Sequence, residues 1–337
     1  MKRTLLWIMV ATAPGLVACG ADRGEDPAPR EISMSQVATL GEPGADFSPH
    51  FATQIALWTP AGDTGFVLSQ TYEDGYVHVY DPDGRIIRRI GGAGEGPGEL
   101  GGMDPMVVGA AGDRLLVGSQ FAPRLTTFTP DGADPVIEAY QGGTFGIQGL
   151  RDGRALLLPG ATGKGPVFYS SDGSFEALQV PDSLRPEERG GYVVGPASSA
   201  LAWLAVSRGG TFATIDSDGV VAPRFSIPIE PEEFDALPGI IAVAEEDGLL
   251  WVAMTIRRAE LAPGTPFSLQ VLDSVFDTRI AVLDPIDGAQ VAQFDDPRAL
   301  QRVSTESGLL LSHPWETEFG DTRIDVIRPE LRTGNAR

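Results

Sequence analysis

The side chains that most often carry out catalysis are scarce in this chain of 337 residues. It contains three histidines, one cysteine and one asparagine, namely His50, His78, His313, Cys19 and Asn335. No Gly-x-Ser-x-Gly motif accompanies the histidines, so a serine hydrolase is not predicted, although a Ser–His–Asp triad through His313 stays open. Because the histidines are expected at different depths of the fold, a catalytic metal centre is not predicted either.

Two further motifs resemble ligand sites but lack parts that such sites need. The glycine-rich run from Gly91 to Gly102 fails the Gly-x-Gly-x-x-Gly spacing of dinucleotide loops, and no long helix is expected after it. Aspartate pairs stand before glycines at 81–84 and 216–219, but the glutamate that completes a calcium loop is missing. Both motifs are interpreted as turns and loops, and no cofactor or metal ion is predicted.

The single cysteine ends a segment that is typical of export signals. Lys2 and Arg3 precede the apolar run 5–10, which is too short to span a membrane. The run Leu16-Val17-Ala18-Cys19 resembles the lipobox of bacterial lipoproteins. The resemblance implies removal of residues 1–18, lipidation of Cys19 and stable membrane anchoring through several acyl chains. Residues 19–30 form the expected tether, and Gly20 in place of aspartate favours the outer membrane, facing the periplasm or the cell exterior.

The charge of the chain restricts its partners. There are 46 acidic and 25 basic residues, a net charge of −21, which becomes −23 without Lys2 and Arg3. A polyanion of this kind is repelled by nucleic-acid phosphates, so a nucleic-acid partner is excluded. With 42% hydrophobic residues the chain can build a large core, which excludes global disorder.

Beyond residue 30 the sequence consists of short β-branched and aromatic runs separated by turns. One series of turns ends a short strand: YVHVYDPDG (76–84), LTTFTPDG (125–132), VFYSSDG (167–173), FATIDSDG (212–219), IAVLDPIDG (280–288) and a degenerate IDVIRPEL (324–331). A second series precedes each strand pair: PAGD (60–63), AAGD (110–113), RDG (151–153), ASSA (197–200), EEDG (245–248) and TESG (305–308). The first four glycines of the first series are 48, 41 and 46 residues apart, and the next step of 69 indicates an insertion.

Two interleaved series of turns at this spacing are typical of a β-propeller with one four-stranded antiparallel blade per repeat. Six turns of each kind predict an all-β, six-bladed propeller over residues 31–330, followed by a tail at 331–337. The sixth blade shows only three strands, at 299–304, 309–312 and 322–327, whereas 31–40 is an isolated strand before the first blade. We expect this N-terminal strand to complete the last blade and close the ring.

The segment YVHVYDPDGRIIRRIGGAGEGPGEL (76–100) resembles the bacterial six-bladed β-propeller lipoproteins related to NHL-repeat proteins, whose outer strand is followed by Gly-x-Gly-Pro-Gly-Glu. The match continues through 112–119 and is diffuse elsewhere. The resemblance implies the fold more firmly than a function. Related propeller hydrolases hold a metal with glutamate, aspartate and asparagine, and related lyases hold zinc with several histidines. This chain departs from both patterns, because Asn335 lies in the tail and the histidines are few.

The loops that join the second and third strands of the predicted blades carry an unexpected group of basic residues for so acidic a chain. The candidate binding rim consists of Phe121, Arg124, Lys164, Arg208, Arg257 and Arg258, with His313, Trp315 and Glu316 from the sixth blade. An anionic or sugar-like ligand would suit such a set. Ion pairing of the arginines with neighbouring acidic loops is the alternative.

The insertion at 257–277 is the one departure from an even repeat. Its segment FSLQVLDSVF (267–276) is compatible with a short amphipathic helix or a hairpin, serving as a lid, a docking element or additional packing. We therefore predict a non-catalytic, lipid-anchored binding or scaffold protein that recognises a protein, peptide or glycan on the rim. A hydrolase or lyase with a nonstandard site at the mouth of the central channel is the alternative.

Overall fold

The computed structural model describes residues 30–41, 52–60, 64–70, 75–94, 96–100, 106–138, 140, 142–159, 165–186, 191–229, 239–260 and 269–333. Within these ranges the chain is nearly all β, with 24 strands and one α-helix, α1 (Leu269–Val275). The export signal and nearly all of the tether predicted from the sequence lie outside the described residues. In the described part, no helix is long and apolar enough to cross a membrane.

The strands form four separate four-stranded antiparallel sheets and one eight-stranded sheet, in which two further four-stranded antiparallel units are joined by a short parallel pairing of their inner strands (Ile55 opposite Val303, Ala56 opposite Ser304). Counted as blades, these units number six, which agrees with the predicted all-β propeller fold. The N-terminal strand is β1 (Arg30–Leu40). Blade 1 contains β2 (Ala52–Trp58), β3 (Gly65–Gln70), β4 (Tyr76–Tyr80) and β5 (Ile86–Gly91). Blade 2 contains β6 (Met106–Ala111), β7 (Arg114–Ser119), β8 (Leu125–Phe128) and β9 (Val136–Glu138). Blade 3 contains β10 (Thr144–Gly149), β11 (Ala155–Pro159), β12 (Val167–Tyr169) and β13 (Phe175–Ala177).

The second half of the ring repeats the same plan. Blade 4 contains β14 (Tyr192–Pro196), β15 (Ala202–Val206), β16 (Thr211–Ile215) and β17 (Val221–Ser226). Blade 5 contains β18 (Gly239–Glu246), β19 (Leu249–Arg257), β20 (Phe276–Leu283) and β21 (Gln290–Asp296). Blade 6 contains β22 (Gln301–Ser304), β23 (Leu310–Glu316) and β24 (Thr322–Thr333), with β1 as its fourth strand.

The pairing of β1 with β24 confirms that the N-terminal strand completes the last blade. The two strands are antiparallel, from Arg30 opposite Thr333 to Leu40 opposite Ile324, with a bulge after Gln36. The last strand therefore ends at Thr333, beyond the boundary at 330 expected from the sequence, because β1 supplies a partner along its whole length.

Six apolar clusters lie between neighbouring blades, one for each pair, so the ring is closed by packing as well as by hydrogen bonds. The cluster between blades 6 and 1 joins Leu40 of β1 and Val303 of β22 to Ile55 and Phe66 of blade 1. Because each blade buries both of its faces in this way, its strands are apolar almost throughout and no blade forms a separate domain.

The aspartate–glycine turns follow the two predicted series. Gly219, between β16 and β17, has φ 78°, a left-handed conformation that favours glycine. The Oδ1 atom of Asp216 accepts hydrogen bonds from the backbone N–H groups of Asp218 (3.0 Å) and Val220 (2.8 Å). The carboxylate is thus engaged in its own turn, and no cluster of potential metal ligands occurs among the described residues.

Candidate functional site

The end of the ring at which the inner strands begin is called the top face. It carries the loops between the second and third strands of each blade and the connections to the next blade. The six inner strands, β2, β6, β10, β14, β18 and β22, run from this face toward the turns on the opposite side. The residues of the predicted rim that the structure describes lie at or near this end.

The exposed aromatic side chains of the described residues all lie at the top face. Phe121 is 67% exposed, Phe145 43% and Phe319 83%. Phe121, from blade 2, and Phe145, from the inner strand of blade 3, meet edge to face with ring centroids 6.1 Å apart. The backbone oxygen of Phe145 accepts a hydrogen bond from Nε2 of Gln54 in blade 1 (2.9 Å), so three blades converge at this aromatic pair.

The guanidinium group of Arg124 has partners within the protein. It donates hydrogen bonds to the backbone oxygens of Gly96 (3.2 Å) and Glu99, which belong to the glycine-rich connection from blade 1 to blade 2. The Glu99 carboxylate in turn accepts from the N–H of Gly96 (2.6 Å), and a Cβ atom at Gly94 would lie 2.1 Å from that carboxylate. The glycine-rich run is thus a connection between blades 1 and 2 that is stabilised by its own Glu99–Gly96 hydrogen bond and by the hydrogen bonds from Arg124.

The predicted insertion forms α1, which packs against β20 of blade 5 and β23 of blade 6. Arg258, near the start of the insertion, forms an ion pair with Asp277 at the end of the insertion (2.9 Å). It also donates a hydrogen bond to the backbone oxygen of Asp273 in α1. Arg257 lies at the end of β19 and its Nε donates to the backbone oxygen of Ala259 at 3.3 Å. The helical option for the insertion is the one observed, and these two arginines contact the insertion itself.

His313 and Asp273 form the closest arrangement to an acid–base pair among the described residues. Nε2 of the imidazole lies 2.8 Å from Oδ2 of Asp273 on α1, and Oδ1 of Asp273 accepts from the N–H of Ala299 (2.8 Å). Arg298 lies nearby, and its hydrogen bond with Asp296 raises the pKa of the guanidinium group. An imidazole held by a carboxylate in this way can serve as a general base, or it can simply fasten α1 to blade 6.

The expected position of three rim residues needs correction. The sequence suggested a second strand in blade 6 that ends at 312, with His313, Trp315 and Glu316 in the following loop. Strand β23 instead continues to Glu316, paired with β24. Pro314 does not interrupt it because β22 pairs with β23 only as far as Ser312, so no ladder bond is lost on that side. His313 is consequently buried in the blade, whereas Glu316 is exposed.

The remaining rim residues are distributed as follows. Arg208 is exposed in the top-face loop of blade 4, and Trp315 is half-buried near the end of β23. Lys164 and Cys19 lie outside the described residues. The structure therefore brings Phe121 beside Phe145 and His313 beside Asp273, but it does not unite all of the predicted residues in one continuous arc.

Sequence reasoning missed a polar group on the axis of the ring. Gln148 of β10 is 1% exposed, and its Nε2 donates to the backbone oxygens of Gly149 (2.8 Å) and Thr305 (2.7 Å). Ser304 of β22 donates to the backbone oxygen of Ile147 at 2.8 Å. Blades 3 and 6 stand opposite each other in the ring, so these bonds cross the axis and close the central channel at this level.

The guanidinium group of Arg302 completes this polar group. It donates a hydrogen bond to Oε1 of Gln148, and burial lowers its pKa to about 10. The sequence itself distinguishes Arg302, because it is the one basic residue within the six inner strands as bounded above. The turns of blade 6 predict its strands, but they contain no information on the role of a basic residue on the innermost strand.

Comparisons with known proteins support the fold. No family model matches the sequence, and no curated protein matches it. Among solved structures, a member of the DUF4221 family from Bacteroides vulgatus is similar, with a TM-score of 0.61, 11% identity and coverage of 90% of this chain and 99% of that one. A Bacteroides fragilis protein that is named as exported has a TM-score of 0.54 and 10% identity, with coverage of 89% and 95%. A luciferin-regenerating enzyme has a TM-score of 0.51 and 11% identity, with coverage of 91% and 96%.

At these identities the likeness concerns the fold, and it agrees with the six four-stranded blades described above. The similar structures include both an enzyme and proteins whose names state no activity. Function must therefore be argued from the side chains of this chain.

Proposed function

We propose that this chain is an exported binding protein, related to the NHL-repeat lipoproteins, which takes a protein, peptide or glycan ligand on its top face. The observation that carries the proposal is the exposed aromatic pair of Phe121 and Phe145 at the point where three blades converge. Aromatic side chains dominate the energetics of binding surfaces, because they bury a large area with few rotatable bonds.

The surroundings of the aromatic pair favour specific recognition over nonspecific hydrophobic association. Phe145 belongs to an inner strand and its backbone oxygen is held by Gln54, so the ring stands on a rigid part of the scaffold. Arg208 adds an exposed positive charge to the same face of an otherwise acidic protein. A rigid apolar centre with polar groups around it is the usual composition of a specific binding surface.

The proposed location follows from the N-terminal residues. Export and lipidation at Cys19 would anchor the propeller to the outer membrane and leave the top face available in the periplasm or outside the cell. The name of the exported protein from Bacteroides fragilis is compatible with this location.

The test compares the wild type with a Phe121→Ala/Phe145→Ala double variant. Each truncation at a binding centre is expected to cost ~1–2 kcal/mol, so capture of envelope peptides, proteins and glycans should fall by about tenfold or more. Ile87→Ala, at an exposed apolar residue on the outer strand β5, is the matched control and should bind like the wild type. Undiminished binding by the double variant would remove the top-face pair from the proposal.

One observation favours a catalytic alternative, a hydrolase or lyase that uses the His313–Asp273 pair. The pair has the geometry of a base with its orienting carboxylate, although α1 covers it on one side. A panel of lactones, esters and glycans, assayed with the wild type and with His313→Gln, distinguishes the two functions. Turnover that His313→Gln abolishes would support the enzyme, and absence of turnover would favour binding.

A further inference from the structure

Arg302 is a largely buried arginine on an inner strand, and it has no carboxylate partner among the described residues. Arg154, Arg258, Arg279 and Arg298 each lie within 3 Å of an aspartate oxygen. Arg302 instead donates to the side-chain oxygen of Gln148. A guanidinium group has five N–H donors, and removing a cation from water without a counter-ion is costly.

The orientation of Gln148 is fixed by its own hydrogen bonds. Its Nε2 is used by two backbone oxygens, those of Gly149 and Thr305, so its Oε1 is the atom turned toward Arg302. Ser304, two residues along β22, is likewise occupied with the backbone of Ile147. Among the described residues Arg302 thus makes one side-chain hydrogen bond, to an amide that is itself already engaged.

The position of Arg302 relates it to the proposed binding face. Gln148 lies three residues from Phe145 along β10, which at the usual rise of a strand places it roughly 10 Å below the aromatic pair. Arg302 retains partial exposure, and the bonds between blades 3 and 6 close the axis beneath it. The aromatic pair thus lies at the top face and the cation lies below it on the axis, an order suited to the end of a chain.

We propose that Arg302 binds a terminal carboxylate of the ligand, and that the ligand is a peptide whose C-terminal side chain contacts Phe121 and Phe145. This inference rests on the proposed function and gives it a ligand class. The planar guanidinium fork matches a carboxylate through two parallel hydrogen bonds, and the phenylalanines offer no polar group to a sugar hydroxyl. A peptide C-terminus supplies both the carboxylate and an adjacent apolar side chain.

The experiment uses N-acetyl-phenylalanine and its C-terminal amide as probes, which differ in the carboxylate alone. Calorimetry or ligand-observed NMR should show that the wild type binds the acid about tenfold more tightly than the amide, as expected for hydrogen bonds to a charged group. Arg302→Gln should abolish this preference, and Arg302→Lys should retain part of it. Arg89→Gln, which removes an exposed charge from the outer strand β5, is the matched control and should keep the preference.

The outcomes separate this inference from the proposed function. Equal binding of acid and amide by the wild type, or no binding of either, would overturn the carboxylate site. If both probes bind equally and the Phe121→Ala/Phe145→Ala variant loses both, the aromatic face stands without the carboxylate site. Binding of galacturonate over galactose that depends on Arg302, without binding of N-acetyl-phenylalanine, would overturn the peptide assignment in favour of an acidic sugar. Circular dichroism of each variant verifies the fold.

Discussion

At the scale of the residue, Arg124 and Arg302 show that a basic side chain gains its role from its neighbours. Arg124 stands in a loop with no acidic residue, which made it a candidate ligand group, yet it binds backbone oxygens of the preceding connection. Arg302 stands in a short strand outside any motif, yet it is bound by the side chain of Gln148 and has no carboxylate partner in the described part of the chain. Neither difference could be predicted from the sequence, because the partners are 25 to 154 residues away.

Replacing Arg124 with alanine should lower stability, because the backbone oxygens of Gly96 and Glu99 lose their donor. The expected loss is ~1–3 kcal/mol in the free energy of unfolding, measured by denaturant titration. Arg208→Ala, at an exposed arginine of the same face, should change it by less than about 0.5 kcal/mol. Equal effects of the two substitutions would contradict the structural role of Arg124.

Glu306 provides a prediction about pH. Burial raises the pKa of its carboxyl group, which lies beside Gly149 across the axis. A raised pKa in the folded state means that the neutral form is favoured by folding, so this stabilisation is complete below the unfolded pKa of about 4.3 and is lost as the pH rises through the folded value. Glu306→Gln should therefore raise Tm at pH 7, and the gain should disappear near pH 4.

Thermal unfolding of Glu306→Gln between pH 4 and pH 8 measures this difference. Glu316→Gln, at an exposed carboxylate of β23, serves as the control and should change Tm little. A gain for Glu306→Gln that stays constant over the whole pH range would show that burial of the charge is not its cause.

At the scale of the element, the turns predicted the strands well. The turn AAGD at 110–113 and the run LTTF before the turn at 129–132 predict strands at 114–119 and 125–128, and β7 and β8 have these bounds because glycine turns and apolar runs define them locally. The N-terminal strand was also assigned correctly, since blade 6 lacked a partner for its outer edge. The end of strand β23 is harder to predict, because its last residues are strand only through pairing with β24. Pro314 favours an earlier end of the strand in the sequence. The contact of α1 with His313 likewise depends on tertiary packing.

The closing role of β1 predicts a large difference between two apolar residues of that strand. Leu40 is 0% exposed and lies in the cluster between blades 6 and 1, whereas Val37 is 44% exposed. Leu40→Ala should lower the free energy of unfolding by ~2–5 kcal/mol through lost burial and a residual cavity. Val37→Ala should change it by less than about 0.5 kcal/mol. Similar values for both, by chemical denaturation, would show that β1 is an accessory arm.

At the scale of the whole molecule, the period of the turns was sufficient to predict one closed ring instead of two domains. The six apolar clusters agree with it, since each of them joins two neighbouring blades. The closure of the axis between blades 3 and 6 could not be predicted, because it depends on how far opposite inner strands approach each other. A turn pattern contains no information about that distance.

Membrane association tests the location of the whole molecule. Cys19→Ser should move the protein from the membrane fraction to the soluble fraction of its native cells, because the acyl chains have no other attachment site in the proposal. Fractionation followed by immunoblotting measures the distribution, and a Gly20→Ala variant, which keeps the cysteine, should remain with the membranes. Continued membrane association of Cys19→Ser would contradict lipid anchoring.

The pairing of β1 with β24 also determines when the ring can close during synthesis of the chain. Of the described strands β1 is made first and β24 last, and at about 5–20 residues per second the 283 residues between Leu40 and its partner Ile324 take roughly 15–60 s. Until the last strand is made, the first one has no neighbour and blade 6 cannot form. The ring therefore closes only once β24 has been made, and the packing of blade 6 against blades 5 and 1 forms after that of the other blades.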